Sequence, residues 1–437
     1  EPWERWIEDS LDAVAFLIPV VTPKYFQSDY CRAEFERFRE RERQLGREDL
    51  ILPIYFVDAD ETCSYTAHLA GIDLLATRAI FITHPHIDHV GGLANLLWTI
   101  GKLGGRVDPD DYDLYLAQFG LKRPACTYYK DIPNWPDNLG ATVWPHDEDR
   151  FIDNVVGRWT VDSIRDHDFE KPLFLWSGFA GPHDPYDVPE SALDRYKDVD
   201  IPDPVGWEGE LDTKPPPQKN SIEGSEGRHS PAAIWWSRAT PERVRRMRRH
   251  YFANVSLIDD WVGSIVAAVE EMGELDNTVF VFTSDHGDCL GDHGLVYKFS
   301  SHYDPVARVP LVFAGPGVES LGERDPLVEL IDLGPTLLDL AGLGELSGAS
   351  GTSLCAQLNG SDEEPHETVF SEHGPRIMAR TRDCKLVFYP GEEYGELYDL
   401  NSDPDELYNL YDQSEHRSAR HDMVERMMHW FATTQRS

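Results

Sequence analysis

Residues 278–288 read Thr-Val-Phe-Val-Phe-Thr-Ser-Asp-His-Gly-Asp, an apolar run that stops at an Asp-His pair followed by glycine and a further acid. A carboxylate beside an imidazole offers oxygen and nitrogen donors to one cation, so Asp285 and His286 are candidate metal ligands. β-Branched and aromatic residues bounded by turn formers predict a buried strand. Open α/β sheets gather ligands at the carboxyl ends of such strands. Asp and Gly also close ordinary turns, so this stretch alone leaves a capped turn open.

The surroundings narrow the choice. Upstream, the apolar segment 171–176 is expected as a strand delivering His183 within Gly181-Pro182-His183-Asp184-Pro185-Tyr186. Downstream, Gly291-Asp292-His293-Gly294 precedes Tyr297-Lys298 and Tyr303-Asp304-Pro305, and 308–312 is expected as a third strand. Together with 251–260, the run Glu396-Leu397-Tyr398-Asp399-Leu400, Asp403-Pro404 and Asn409-Leu410, this wording resembles the sulfatase family of the alkaline-phosphatase-like superfamily from about residue 110 onward. The resemblance implies that Asp285 and His286 hold a divalent cation, usually calcium, and that His183 and Lys298 touch sulfate oxygens. It implies a hydrolase of sulfate esters, or of related phosphate or phosphonate esters, whose substrate is a small-molecule or carbohydrate sulfate ester. The residue types suit this: a hard cation takes carboxylate oxygen, and cationic donors stabilise charge on a transferring group.

The family's nucleophile is missing. It is a cysteine or serine converted to formylglycine within Cys/Ser-x-Pro/Ala-x-Arg, and no cysteine or serine of this chain has that context. Cys31 is followed by Arg-Ala-Glu-Phe, Cys63 by Ser-Tyr-Thr-Ala and Cys126 by Thr-Tyr-Tyr-Lys, while Cys289, Cys355 and Cys384 fall too late. The paired aspartates that should follow the family's first strand are absent as well. A catalytically inactive chimeric or truncated product is therefore an alternative to a hydrolase.

Two other motifs stand where that first third should be. Residues 79–93 read as strand, ligand loop and helix, and His84-x-His86-x-Asp88-His89 resembles the metallo-β-lactamase motif over about 66–107. By that resemblance His84, His86, Asp88 and His89 hold one or two zinc ions. If the strand at 78–83 docked beside 279–283, His84, His86 and Asp88 would face Asp285 and His286, and a metal-bound hydroxide would be the nucleophile. Earlier still, 17–23, Tyr25, Ser28, 30–35 and 51–55 resemble the middle of a bacterial TIR domain, in which Glu34 would be the NAD-cleaving carboxylate. A TIR-linked NAD-cleaving or signalling protein is thus a second alternative, and a plain amphipathic helix from Cys31 to Leu45 a third way to read those residues.

These groups need a scaffold. Apolar residues Val255, Ile258, Val262, Ile265, Val266 and Val269 recur at helical spacing and stop at Gly273, and Thr240-Pro241-Glu242 gives that helix its cap and first turn. Strand and helix then alternate through 279–283, 311–314 and 334–341. The expected fold is α/β, a layered sheet with helices on both faces as in the sulfatase and alkaline-phosphatase families, plus a small antiparallel C-terminal subdomain. The expected segments are 1–58, a partial TIR-like piece; 59–108, a partial metallo-β-lactamase-like piece; 109–380, the α/β core; and 381–437, the C-terminal subdomain. Residues 202–230 read as a long surface insertion. The basic run Arg243, Arg245, Arg246, Arg248 and Arg249 reads as a solvated helix face.

Composition bounds the setting. The 437 residues are 41% hydrophobic and carry 78 acids against 40 basic residues, a formal charge of −38. So acidic a surface suits high salt, where self-repulsion is screened, and disfavours nucleic acid as a partner. Few, scattered cysteines suit a reducing compartment. With no signal peptide visible and no apolar stretch judged long enough to span a bilayer, a cytoplasmic location and no membrane partner are expected. The sequence is silent on oligomeric state.

Overall fold

The computed structural model describes residues 112, 115–121, 135–223, 234–298, 301–344 and 349–434. It also describes the backbone of three strands nearer the N-terminus, β1 (Val20–Val21), β2 (Ile54–Tyr55) and β3 (Ala79–Thr83). β1 and β2 pair in parallel. A second small parallel pair joins β4 (Thr142–Val143) to β6 (Asp187–Val188).

The central sheet has four strands in the order β5-β3-β7-β8, where β5 is Phe174–Gly178, β7 is Val279–Thr283 and β8 is Leu311–Ala314. β3 lies parallel to both β5 and β7, and β8 closes the edge antiparallel to β7. The docking of 78–83 beside 279–283 that was considered above therefore occurs, over Ala79–Ile82.

Period-2 alternation sorts the side chains of β5 and β7 between two layers. Leu175, Phe280 and Phe282 face α1 (Ile152–Asp166) and α3 (Pro241–Glu271), packing with Val156, Ile164, Ile258, Ile265 and Val269. Phe174, Trp176, Val279 and Val281 face the other way, onto Leu333 and Leu337 of α4 (Leu333–Leu340). Each such side chain contributes about 1.5–3 kcal/mol when fully buried, so both layers anchor β7 and the turn it ends in.

α3 begins as expected, with Thr240 Oγ1 accepting the Arg243 N–H at 3.3 Å. Its basic run departs from expectation. Arg243 pairs with Asp137 at 3.2 Å, Arg245 with Asp203 at 2.8 Å and Arg248 with Asp292 at 3.0 Å, so these arginines clamp neighbouring segments instead of facing only solvent. α3 is also long and apolar enough to cross a membrane, contrary to the expectation from the sequence. Here it is a core helix whose buried face lies on α1 and the sheet.

The C-terminal subdomain is an antiparallel sheet, β12-β11-β10-β9, of β9 (Val369–His373), β10 (Arg376–Arg380), β11 (Cys384–Phe388) and β12 (Glu396–Asp399). β9 and β10 fall before residue 381, so this unit starts earlier than expected. Met423 and Met427 of α5 (Arg417–Thr434) cover Ile377, Ala379, Leu386 and Leu397.

The described part of the expected surface insertion is anchored. Lys214 precedes α2 (Pro216–Glu223) and is 6% exposed; its Nζ donates to Tyr398 Oη at 3.1 Å and to the Glu406 carbonyl at 2.8 Å. Gln218 donates to Glu396 Oε2 at 3.0 Å. Proline and charge made the segment look solvated, yet its polar groups are spent inside.

Candidate active site

Parallel pairing brings the carboxyl ends of β5, β3 and β7 to one edge. Thr83 stands beside Gly178, and Ile82 beside Phe282. Because β8 runs antiparallel, with Leu311 opposite Thr283, the chain before it reaches the same edge.

At the end of β7, Asp285 Oδ1 accepts the His286 N–H at 2.9 Å, while Asp285 Oδ2 and His286 Nε2 stand 3.5 Å apart. The His286 Nδ1 lies 2.9 Å from the Gly287 carbonyl, which makes Nδ1 the protonated nitrogen and leaves Nε2 as a lone pair facing the carboxylate. Gly287 is required at the bend: its N–H donates to the Val306 carbonyl at 2.9 Å, and a Cβ there would lie 2.0 Å from the Pro305 carbonyl oxygen.

At the end of β5, Asp153 of α1 holds the loop that carries His183. Its Oδ1 accepts the Ala180 and Gly181 N–H groups at 2.8 and 3.1 Å. His183 Nδ1 lies 2.7 Å from the Asp184 carbonyl and 3.4 Å from Asp184 Oδ1. Electrostatic effects link these side chains. Burial raises the Asp184 carboxyl, opposed by His183 and Lys298. Burial and the charge of Asp184 push Asp288 well above the carboxylate range, with Lys298 opposing and Asp285 adding.

Of the residues expected from the sequence, Asp285, His286 and Lys298 line one cavity of about 1670 Å³, and His183 acts on the same carboxylate as Lys298. His84, His86, Asp88, His89 and Glu34 lie outside the described residues. Asp184 and Asp288 were overlooked as members of the site, although each adjoins a residue that was singled out. Asp153 had no signal in the sequence, since nothing local marks a helix aspartate as the acceptor for a loop beginning 27 positions later.

The donors fit a divalent cation. A carboxylate oxygen and an imidazole lone pair 3.5 Å apart can share one ion. A second group of metal-type donors among the described residues, Glu329, Asp332 and His366, lies within 4.8 Å of one another. Its Asp332 oxygens already accept the Glu329 and Thr352 N–H groups, each at 2.8 Å, and both lie within 3.0 Å of His366 Nε2. That cluster ties the start of α4 to the approach to β9.

Comparison with known proteins agrees with this architecture. The sulfatase family model matches residues 109–343, a model of the N-sulphoglucosamine sulphohydrolase C-terminal region matches 291–433, and a TIR-domain model matches 1–81. The chain is 30% identical to an arylsulfatase of Clostridium perfringens over 70% of this chain and 63% of that one. It is 31% identical to a choline-sulfatase of Rhizobium meliloti over 68% and 60% of the respective chains, so it spans about three fifths of each relative. The fold resembles that of a phosphonate monoester hydrolase of Agrobacterium radiobacter, with a TM-score of 0.66 at 20% identity over 86% of this chain and 81% of that one.

Proposed function

The chain belongs to the sulfatase family, and from that premise we propose that it binds and cleaves sulfate esters, or related phosphate or phosphonate esters, at the β5–β7 edge. The carrying observation is the convergence of Asp285, His286 and Lys298 on one cavity, with Lys298 and His183 acting on the same carboxyl, that of Asp184. Asp285 and His286 would hold the cation, calcium by the family resemblance. When bound, the cation draws charge from the ester oxygens.

The remaining roles follow from the side chains. Lys298 supplies a fixed positive charge for the non-bridging oxygens. The Asp184 carbonyl accepts from His183 Nδ1–H and so fixes the orientation of the ring, leaving Nε2 as its other polar atom. Asp153 sets where His183 stands by fixing the loop's backbone.

The nucleophile has a specific candidate source. β3 occupies the sheet position between β5 and β7, and His84 follows Thr83 directly in the chain. The pairing of β3 favours a site in which His84, His86 and Asp88 add metal ligands, zinc by their motif, to those at the end of β7. Metal content tests it: His84→Ala is expected to lower bound zinc per chain, and unchanged content would remove this source.

The hydrolase itself is tested by turnover of aryl sulfate and aryl phosphodiester substrates with calcium, manganese or zinc, beside Asp285→Ala. Activity lost in that variant supports the proposal. Inactivity with every metal overturns it and leaves an inactive product, whereas NAD cleavage dependent on Glu34 would favour the TIR-linked alternative.

A further inference from the structure

The turn that seats the bend at Gly287 is itself held by the C-terminal subdomain. Gly287 donates its N–H to the Val306 carbonyl at 2.9 Å, and Val306 lies in a single helical turn, Asp304–Ala307. The fit has no slack, since a Cβ on Gly287 would stand 2.0 Å from the Pro305 carbonyl oxygen. At the end of β7, Thr283 Oγ1 adds a bond to the Pro310 carbonyl at 2.9 Å. A shift of this turn is therefore passed to the bend that follows Asp285 and His286.

Three charged side chains of the subdomain converge on the start of the turn. Arg380 of β10 and Lys385 of β11 are cross-strand partners, and like charges so placed repel unless an acid stands between them. The acid is Asp304, whose Oδ1 accepts from Lys385 Nζ at 2.6 Å and from Arg380 Nη1. Against burial, the two cations hold its carboxyl below the ordinary range. Glu406 completes the set, pairing with Lys385 through one oxygen and accepting the Asp304 N–H at 2.7 Å through the other. Lys385 and Glu406 are each 1% exposed. Glu406 sits at φ 56°, a region sparsely used by residues other than glycine, where the Asp403 carboxylate accepts the Leu407 and Tyr408 N–H groups at 3.0 and 2.8 Å. Lys385 Nζ also donates to the His302 carbonyl at 3.0 Å, so the main chain entering the turn is gripped as well. Ala307 packs on Met378, Val387 and Tyr389, the apolar part of the same sheet face.

Buried ion pairs add little net stability, because desolvation offsets their attraction; what this set fixes is geometry. We propose that Lys385 and Glu406 are positioning residues for the cation site, setting the turn Asp304–Ala307 against Gly287 and so fixing where Asp285 and His286 stand. The C-terminal subdomain thereby shapes the site without touching the ion. This rests on the function proposed above, in which Asp285 and His286 are the cation's ligands.

Two readouts on the full chain test it. Hydrogen exchange of the peptide 284–290 without calcium reports the Gly287 N–H, and it should quicken about tenfold in Lys385→Met. Calcium affinity by calorimetry should fall about tenfold in the same variant, the low end for residues that support metal ligands from outside. Met423→Ala is the control: Met423 covers Leu386 on the other face of the sheet, so the void lowers stability in urea while both readouts stay within about twofold of the wild type. Equal effects of Lys385→Met and Met423→Ala overturn the proposal, as do wild-type exchange and calcium affinity in Lys385→Met. If Lys385→Met does not fold, Glu406→Gln carries the test, because its amide oxygen still accepts the Asp304 N–H while the charge opposite Lys385 is gone. Effects of about threefold or more in both readouts then support the proposal, and smaller ones overturn it. Calcium binding that Asp285→Ala leaves intact would instead overturn the cation site on which the proposal rests.

Discussion

His286 Nε2 faces Asp285 Oδ2 across 3.5 Å at the carboxyl end of β7, and the His286 N–H donates to the other oxygen of the same carboxylate at 2.9 Å. The carboxylate is thereby oriented by its own backbone before any ion arrives. The preorganisation comes from the strand, which is anchored on both faces, and from the bend at Gly287.

Calcium should therefore stabilise the folded chain. At a free concentration of a hundred times Kd, binding contributes about 2.7 kcal/mol. The melting temperature of the wild type should rise with calcium, and Asp285→Ala and His286→Ala should abolish most of the rise. A rise that survives in both variants would place the ion elsewhere.

Gly287→Ala tests the bend. A Cβ 2.0 Å from the Pro305 carbonyl oxygen forces backbone to move, at a cost of about 1–3 kcal/mol or more. Calcium affinity should fall along with stability, because the Val306 bond that seats the bend must lengthen. Denaturant unfolding and a calcium titration of one preparation measure both effects.

Asp153 should separate loop positioning from charge. Asp153→Ala removes the acceptor for the Ala180 and Gly181 N–H groups and frees the loop of His183, so binding of an aryl sulfate should weaken several-fold. Asp153→Asn keeps an acceptor oxygen and should bind nearly as the wild type does. Equal losses in the two variants would show that the carboxylate's charge matters, and its reach does not.

What the sequence made legible was local. The run 279–283 ending in Asp285-His286, the cap at Thr240 and the alternation of strand and helix are written in consecutive residues, and each is found where expected. The insertion was misjudged because Lys214 and Gln218 gain their partners from Tyr398, Glu396 and Glu406, which are remote in the chain. β9 and β10 were left with the core because their partners, not their own patterning, define the second sheet.

The pH dependence of stability follows from two buried groups of opposite sign. Burial, aided by Arg246 and Arg249 and opposed by bonds to the Tyr186 and Thr142 backbone, lowers His250 from 6.5 to about 4. The unfolded chain takes up that proton first, so the contribution of His250 is complete above 6.5 and is lost as pH falls toward 4. Burial raises Asp153 from 3.8 to about 6 despite its backbone bonds. Here the folded chain holds the proton longer, so Asp153 destabilises increasingly as pH rises from 3.8 through 6. The two slopes, each about 1.4 kcal/mol per pH unit, oppose one another between roughly pH 4 and 6. Asp153→Asn mimics the protonated acid, so it should exceed the wild type by about 2–3 kcal/mol at pH 7 and match it near pH 4. His250→Gln should do the reverse, gaining on the wild type as pH falls. Urea unfolding of the three proteins at pH 7, 5.5 and 4 measures both trends, and a stability difference for Asp153→Asn that stays constant with pH would mean that its carboxyl titrates at the ordinary value.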